Sequence, residues 1–292
     1  MEREILLGCH FHKYSALGND YLVLDPHADA GAASLTPDRI RALCDRHSGI
    51  GADGIVIGPL DGGVDSNSIR IRIFNPDGSE AEKSGNGIRI FVRYAYEAGY
   101  VSREPFTLVT QGGLVMARVL DERAALIEVD MGAPSFRSED IPMTGENREV
   151  VNERLAIAGE AIRVTCVSMG NPHCVIFDTE VSAARAHQLG PLVEHAPCFP
   201  RRTNVQLARV LDVRTLAIQI WERGAGYTLA SGSSSCAAAS AARRLGLVGD
   251  HVEVQMPGGS LTVTFRPDDG HALLTGPVTG VAHGYLHPDL LV

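Results

Sequence analysis

Short strand-like segments separated by turn residues, with a few helical segments between them, predict an α+β fold. Two observations support this prediction. The apolar segments bounded by turn residues outnumber the segments with helical periodicity. The 292 residues, 45% hydrophobic and 21% charged, have the composition of a folded chain of one or two domains. That composition excludes a disordered chain, a collagen and a coiled coil.

Eight strands are predicted along the whole chain: Tyr21–Leu24, Gly54–Ile57, Ile69–Phe74, Phe106–Val109, Ala124–Val129, Cys174–Phe177, Leu216–Trp221 and Leu261–Phe265. Four helices are predicted between them: Thr36–Arg46, Gly87–Ala98, Val181–Leu189 and Cys236–Leu245. The second and fourth helices follow Gly- or Ser-rich stretches, which often precede a helix start.

An approximate internal repeat predicts two similar halves. Ser84-Gly85-Asn86-Gly87 and Ser231-Gly232-Ser233-Ser234 each lead into a predicted helix, and their serines are 147 residues apart, about half the chain. A predicted strand with an aromatic end, Phe74 or Trp221, precedes each turn. Repeats of this kind mark repeated structural units. We therefore expect a Ser-Gly turn at a helix N-terminus in each half, and a site between the halves.

The two predicted helix N-termini suggest a particular chemistry. Free backbone N–H groups and the positive end of the helix dipole favour a bound anion, such as a carboxylate. Ser84 and Ser231 would then lie beside the α-carbon of that acid, one on each face. This layout fits a two-base racemase, in which one group removes the α-proton and another returns it. The alternative is that both serines only cap their helices, a position that serine favours.

Charge and apolar content indicate which partners to expect. The net charge of −9 disfavours a nucleic acid, so a small molecule is the expected partner. Apolar runs such as Tyr21–Leu24 and Cys236–Ala239 are far shorter than the roughly 20 residues of a membrane span, so no membrane insertion is expected. Residues Met1–Cys9 contain two glutamates and no small-residue cleavage site, which favours a cytoplasmic location. The sequence is compatible with a homodimer.

Metal and Schiff-base chemistry are poorly supported. The six cysteines have no paired spacing, which is typical of free thiols in a reducing compartment. Cys9, His10 and His12 have no fourth ligand nearby, so we predict no metal site. Only two lysines, Lys13 and Lys83, are available to form a Schiff base.

Six segments carry a resemblance to a known family: Gly18-Asn19-Asp20, Arg46-His47-Ser48-Gly49-Ile50-Gly51-Ala52-Asp53-Gly54, Asn75-Pro76-Asp77-Gly78-Ser79-Glu80-Ala81-Glu82, Ser168-Met169-Gly170-Asn171-Pro172-His173, Arg202-Thr203-Asn204-Val205 and Trp221-Glu222-Arg223-Gly224-Ala225-Gly226. In this order they resemble the motifs of the diaminopimelate epimerase family over nearly the whole chain. The resemblance implies two pseudo-symmetric domains, each a mostly antiparallel sheet around a central helix. The domains would be residues 1–130 and 131–275, with 276–292 returning to the first half.

The resemblance also implies an activity: cofactor-independent conversion of L,L- to meso-diaminopimelate by two-base α-proton transfer. Ser84 and Ser231 fall at the two catalytic positions. The implied binding positions are Asn75, Asn171, Asn204 and Arg223 for the distal end of the substrate, Asn19 and Glu222 for the reacting ammonium, and the N–H groups of Gly85, Asn86, Gly232 and Ser233 for the reacting carboxylate. Each asparagine taken alone would instead be a turn or capping residue.

The catalytic positions depart from the family pattern, which has cysteine at both. Serine is far less acidic than a thiol, whose pKa of about 8.5 is lowered at a helix N-terminus, and it needs a separate base. Tyr227 stands where the family usually has glutamate, and Lys83 replaces a usually uncharged residue. Lys83 and Tyr227 are therefore candidate auxiliary groups.

Three explanations of the serines remain open. Cysteines replaced to trap a complex would not account for Lys83 or Tyr227, so a natural divergent branch is favoured. Such a branch would epimerise an amino acid with assisted serines, or isomerise another substrate on the same scaffold. The third alternative is an inactive amino-acid binder that has lost its acid and base.

Overall fold

The computed structural model describes residues 9–29, 32, 35–63, 65, 67–157 and 159–290. Residues 1–8, on which the expected absence of a signal sequence mostly rests, lie outside this range. The first elements are β1 (His10–Ala16), β2 (Asn19–Leu24), α1 (Pro37–Cys44), β3 (Gly54–Leu60), β4 (Ser68–Phe74), β5 (Glu80–Ala81), α2 (Gly85–Glu97), β6 (Phe106–Thr110), β7 (Gly113–Val119) and β8 (Leu126–Asp130). The later ones are β9 (Glu153–Ile157), β10 (Glu160–Ser168), β11 (Pro172–Phe177), α3 (Ala183–Glu194), β12 (Asn204–Asp212), β13 (Thr215–Glu222), β14 (Gly226–Thr228), α4 (Gly232–Arg244), β15 (His251–Met256), β16 (Gly259–Phe265), β17 (Ala272–Pro277) and β18 (Thr279–Tyr285).

The chain divides into two compact units. Unit 1 consists of Met1–Val129 and Gly276–Val292, and unit 2 of Asp130–Thr275. In unit 1, β1 pairs antiparallel with both β2 and β18, and β2 pairs parallel with β3. Strand β4 pairs antiparallel with β3 and β5 and parallel with β6. Strand β7 continues antiparallel between β6 and β8.

Unit 2 repeats this pattern strand for strand. Strands β10 and β11 are antiparallel, β11 and β12 parallel, and β12 and β13 antiparallel. Strand β13 pairs antiparallel with β14 and parallel with β15, and β16 follows antiparallel. Helices α1 and α3 occupy matching places in the chain order, as do α2 and α4. The prediction of an α+β fold with two pseudo-symmetric halves is confirmed.

One helix is buried at the centre of each unit. Helix α2 packs against β1, β2, β3 and β7, and helix α4 packs against β10–β13, β15 and β16. The α4 residues after its first turn are alanine, serine and cysteine almost throughout, and those from Ser234 to Ala242 are all buried. Small side chains allow the surrounding strands to approach such a helix closely. Cys236 is fully buried in this packing.

The predicted helix boundaries needed correction at the N-terminal ends. Helices α2 and α4 begin at Gly85 and Gly232, not at Gly87 and Cys236 as predicted. The glycines and serines form the first helical turn, because a serine N-cap satisfies an otherwise free N–H there. Helix α3 starts at Ala183 and continues through Pro191 to Glu194, past the predicted end. In the described part of the chain, no helix is long and apolar enough to cross a membrane.

The strand prediction was incomplete. All eight predicted strands are present with shifted ends, but β1, β5, β7, β9, β10, β12, β14, β15, β17 and β18 were not predicted. Several of these strands carry exposed polar residues, as in β15, where exposed His251, Glu253 and Gln255 alternate with buried residues. Strand β8 starts at Leu126 and not at Ala124, whose positive φ of 49° interrupts extended backbone.

A substitution at Gly190 tests how tightly α3 packs against β13. Alanine normally stabilises a helix interior relative to glycine by about 1 kcal/mol. At Gly190, however, a Cβ atom would lie 2.4 Å from Trp221 Cγ. We expect the clash to dominate, so that Gly190→Ala lowers the free energy of unfolding by about 1 to 3 kcal/mol.

Thermal unfolding followed by circular dichroism checks this expectation. Gly249→Ala is the matched control, because the nearest atom to its added Cβ is 4.0 Å away. Equal midpoints for the two variants would contradict the close packing described here.

Candidate active site

Ser84 caps the central helix of unit 1. Its backbone is extended, with φ −137° and ψ 115°, and its Oγ accepts a hydrogen bond of 3.1 Å from the N–H of Gly87. Ser84 is partly exposed. The cap therefore fixes the oxygen atom directly at the positive end of the α2 dipole.

Tyr21 is the second group on the Ser84 hydroxyl. The two side-chain oxygens are 3.3 Å apart, and either can be the donor. Tyr21 of β2 pairs with Gly54 of β3, and the tyrosine ring packs against this glycine. A Cβ at Gly54 would lie 2.4 Å from Tyr21 Cε1 and 2.5 Å from the carbonyl oxygen of Phe74. The glycine of the Ala-Asp-Gly segment thus provides space for the tyrosine ring.

Asn86, in the first turn of α2, is held by two neighbours. Its Nδ2 donates to Asn19 Oδ1 at 3.0 Å, and its Oδ1 accepts from Arg89 Nη2 at 2.8 Å. Asn19 Nδ2 donates in turn to Asp53 at 3.1 Å. Two predicted site residues, Asn19 and Asn86, are therefore in direct contact with each other.

An ion-pair network fixes the Asn19 turn. Arg46 bridges Asp20 and Asp53 at 2.6 and 2.7 Å, and Lys13 contacts Asp20 at 2.9 Å. Burial acts to raise the pKa of Asp20, but hydrogen bonds from Arg46 and Lys13 outweigh it and hold the pKa at about 2. The network explains why the Gly-Asn-Asp and Arg-to-Asp motifs occur together in the sequence.

Asn75 makes no hydrogen bond to Ser84 or Asn86 among the described residues. Asn75 lies just after β4, where its Nδ2 donates to Ser79 Oγ at 3.0 Å within a tight turn. Lys83 lies between β5 and α2 and is partly exposed. Asn75 is thus half-exposed in a rigid turn.

Ser231 caps the central helix of unit 2 in the same way. Its backbone is extended, with φ −150° and ψ 128°, and its Oγ accepts from the N–H of Ser234 at 3.4 Å. Ser231 is buried, with 7% of its surface exposed. The two predicted catalytic positions therefore have the same local geometry.

Glu222 lies near the Ser231 hydroxyl. Its carboxylate accepts a hydrogen bond of 3.1 Å from Thr228 Oγ1. Burial raises the pKa of Glu222 above its ordinary value of 4.5, and the neighbouring hydroxyls of Ser231 and Thr228 offset part of the increase. A carboxylate beside a serine hydroxyl can act as its base.

The first N–H groups of both central helices are available to a ligand. In each first turn the cap takes one N–H, that of Gly87 or Ser234. Among the described residues, no acceptor is bonded to the four preceding N–H groups, which are those of Gly85, Asn86, Gly232 and Ser233. Such groups at a helix N-terminus suit a carboxylate.

Arg223 is exposed in a turn that is held from two sides. Asn204 Oδ1 accepts from the Arg223 N–H at 2.9 Å, while Asn204 Nδ2 donates to the carbonyl of Pro172 at 2.8 Å. The buried carboxylate of Glu194 accepts from the Gly224 N–H at 2.9 Å and from Trp221 Nε1 at 2.7 Å. The backbone is thereby fixed, while the exposed guanidinium makes one long hydrogen bond of 3.4 Å, from Nη1 to the carbonyl oxygen of Arg201.

Tyr227 lies on the opposite face of its strand from this chemistry. Successive residues of a strand point to opposite faces, and Thr228 is the one that contacts Glu222. The Tyr227 hydroxyl donates to Gln219 at 2.6 Å, and its ring packs 4.9 Å from that of His187. These contacts favour a packing role for Tyr227, and its auxiliary role stays a prediction.

Asn171 follows the turn that leads into β11 and is partly exposed. Its Oδ1 is 2.9 Å from Nε2 of His173, which is fully buried. Burial lowers the pKa of His173 to about 3, so the imidazole is neutral.

Sequence reasoning missed the partners of the predicted residues. Tyr21, Thr228, His173 and Glu194 were not singled out, although Tyr21 and His173 both lie in quoted or predicted segments. A tyrosine and a histidine at matching places, each two residues after a Gly-Asn pair, were the available signal. Glu194 gave none, because its contacts come from β13 and from the turn that follows it.

Comparison with known proteins gives consistent results. The family model for diaminopimelate epimerase matches residues 11–137 and 165–281. Diaminopimelate epimerase 2 of Nostoc sp. is 47% identical over 280 residues, covering 96% of each chain. The diaminopimelate epimerase of Moorella thermoacetica is 43% identical, covering 94% of this chain and 98% of its own.

A solved structure adds evidence on the fold alone. A probable proline racemase from Agrobacterium radiobacter superposes with a TM-score of 0.66 at 14% identity, covering 96% of this chain and 93% of its own. Family model, sequence relatives and fold agree over nearly the full length. The chain therefore belongs to the diaminopimelate epimerase family.

Proposed function

We propose that this protein interconverts the L,L and meso forms of diaminopimelate by α-proton transfer, with Ser84 and Ser231 as the two acid–base groups. Family membership supports the reaction class. One structural observation carries the assignment of the serines. Each serine caps a central helix and has a second proton-bearing group near its hydroxyl: Tyr21, 3.3 Å from Ser84, and Glu222, whose pKa the neighbouring Ser231 hydroxyl acts to lower.

In one direction, Ser231 with Glu222 removes the α-proton. The Ser231 oxygen takes the proton from the α-carbon while its own hydroxyl proton passes to the Glu222 carboxylate. The carboxylate supplies the base that a serine lacks by itself. The N–H of Ser234 donates to the same oxygen and stabilises the negative charge that develops there.

Ser84 with Tyr21 then returns a proton to the opposite face. The Ser84 hydroxyl protonates the carbanion while the Tyr21 hydroxyl replaces the proton of Ser84, which leaves a neutral Glu222 and a tyrosinate. Transfer of one proton from Glu222 to Tyr21 through solvent restores the starting state. The two proton transfers balance, and neither requires a redox change.

The remaining predicted residues hold the substrate in this proposal. The N–H groups of Gly85, Asn86, Gly232 and Ser233 bind the reacting carboxylate. Arg223, Asn75 and Asn171 bind the distal amino-acid end. Asn19 and Asn204 support the site by holding Asn86 and the Arg223 backbone, since their amides already make those hydrogen bonds.

Exchange of the substrate α-proton tests the two serines. We expect the protein to exchange the α-proton of L,L-diaminopimelate in heavy water, and Ser84→Ala or Ser231→Ala to slow epimerisation about 100-fold or more, the usual contribution of a general acid or base. Proton NMR follows the loss of the α-proton signal.

Ser182→Ala is the matched control for the loss of a helix cap, because Ser182 caps α3 through the N–H of Arg185 and lies on neither central helix. The double variant Ser84→Cys, Ser231→Cys should exchange faster than the parent, because a thiol ionises more readily. Binding without exchange in the parent and in this double variant would rule out catalysis and leave an amino-acid binder.

The pH profile tests Glu222 as the base. The carboxylate form is required, so kcat/KM should rise as the pH increases through the pKa of Glu222, which lies above 4.5. Thr228→Val removes a hydrogen bond that stabilises the carboxylate. The pKa should rise further, and the acid limb should move to higher pH by about one unit.

Thr262→Val, a change of the same kind on β16, is the control and should leave the limb in place. A limb that does not move in Thr228→Val would show that another group titrates.

Arg223→Ala tests the binding of the distal carboxylate. Loss of a charge-assisted hydrogen bond of about 1.5 to 3 kcal/mol should weaken diaminopimelate binding roughly 10- to 100-fold. Isothermal titration calorimetry measures the Kd. Arg209→Ala removes an exposed arginine of β12 and should leave the Kd unchanged. Equal affinity of parent and Arg223→Ala would remove Arg223 from the site.

A further inference from the structure

Four polar side chains form a hydrogen-bonded chain through the interior of unit 2. Asn171 Oδ1 is 2.9 Å from His173 Nε2, and His173 Nδ1 is 3.1 Å from Gln206 Nε2. Gln206 Nε2 also donates to Ser234 Oγ at 3.0 Å. His173, Gln206 and Ser234 have no exposed surface, so no solvent replaces these contacts.

The amide of Gln206 determines the direction of the whole chain. An amide nitrogen only donates, so His173 Nδ1 must be the acceptor. In a neutral imidazole the other nitrogen then carries the proton. His173 Nε2–H therefore donates to Asn171 Oδ1, and the amide oxygen of Asn171 is occupied.

The reverse orientation is self-consistent but less favourable. If Gln206 were rotated by 180°, its oxygen would accept from Ser234 and from His173 Nδ1–H, and Asn171 would have to turn its own amide. In the described orientation one buried acceptor, Gln206 Oε1, has no partner. The rotated amide would leave an NH2 group without an acceptor at that place, and orphaned buried donors are rarer than under-satisfied carbonyl oxygens.

The exposed side of Asn171 is consequently its amino group. Asn171 is partly exposed, and among the described residues its Nδ2 has no hydrogen-bond acceptor. An NH2 group donates to a carboxylate, whereas an amide oxygen would repel one.

We propose that Gln206 is a positioning residue, which sets the tautomer of His173 and thereby turns the amino group of Asn171 toward a substrate carboxylate. This inference rests on the proposed function for the identity of the substrate. The link from Gln206 to His173 does not depend on it.

The tautomer itself is the first measurement. Imidazole 15N–1H correlation spectra of the protein, with His173→Gln used to assign the signal, should show His173 protonated on Nε2 only. The signal should not titrate between about pH 5 and 8, since burial keeps this imidazole neutral.

Gln206→Glu reverses the polarity at one point. A carboxylate only accepts, so His173 should become protonated on Nδ1, while Ser234 keeps its contact by donating its hydroxyl hydrogen. Asn171 would then turn its oxygen outward. We expect KM for diaminopimelate to rise about tenfold or more while kcat changes by less than about threefold.

Two further variants separate this role from simple packing. Ser234→Ala removes the other acceptor of Gln206 and should leave the Nε2–H tautomer unchanged. Gln206→Met keeps the length without a donor and should release the tautomer, which also covers the case of a Gln206→Glu variant that does not fold.

An Nδ1–H tautomer in the parent, or an unchanged tautomer in Gln206→Glu, would overturn the inference. A switched tautomer with unchanged KM would overturn the link to Asn171. If the parent does not bind diaminopimelate, the proposed substrate is wrong, and the tautomer data alone then support or overturn the link from Gln206 to His173.

Discussion

Both half-sites depend on the capped first turn of a buried helix. The backbone is extended at Ser84 and Ser231, immediately before each helix. Each serine oxygen accepts a hydrogen bond from an N–H group of its own helix. This bond aligns the hydroxyl with the helix dipole and leaves the preceding N–H groups open. Because the helices are packed among strands on several sides, the turns are rigid. The acid–base chemistry and the carboxylate binding proposed for this protein both require that geometry.

The same topology supports two chemically different helix N-termini, one in each unit. The strand pairings of the two units match one to one, and so do the caps. The second group at each serine differs: a phenol contacts Ser84, and a carboxylate lies near Ser231. A carboxylate accepts a proton, and a phenol more readily gives one. The repeat therefore provides the scaffold, while the side chains beside the two serines differ in acidity.

Supporting residues hold the candidate site residues through their polar groups. In unit 1, ion pairs among Lys13, Asp20 and Arg46 fix the turn that carries Asn19. In unit 2, Glu194 and Asn204 hold the turn that exposes Arg223. Buried polar groups of this kind are stable only when they are paired, so each network admits few arrangements. That restriction is what orients the exposed side chains.

The sequence by itself determined the α+β class, the repeat, the family and the positions of both serines. These are recorded in short-range patterns: strand segments between turns, Ser-Gly turns before helices, and motifs of consecutive residues. It did not determine that Gly85 and Gly232 are already helical, since glycine and serine in a first turn resemble a loop until the cap is formed. Nor did it determine that Glu222 lies near Ser231, that Tyr21 contacts Ser84, or that Tyr227 points away from Glu222. Those facts depend on strand register and on which face of a strand each side chain occupies, and only the packed sheet and helix fix both.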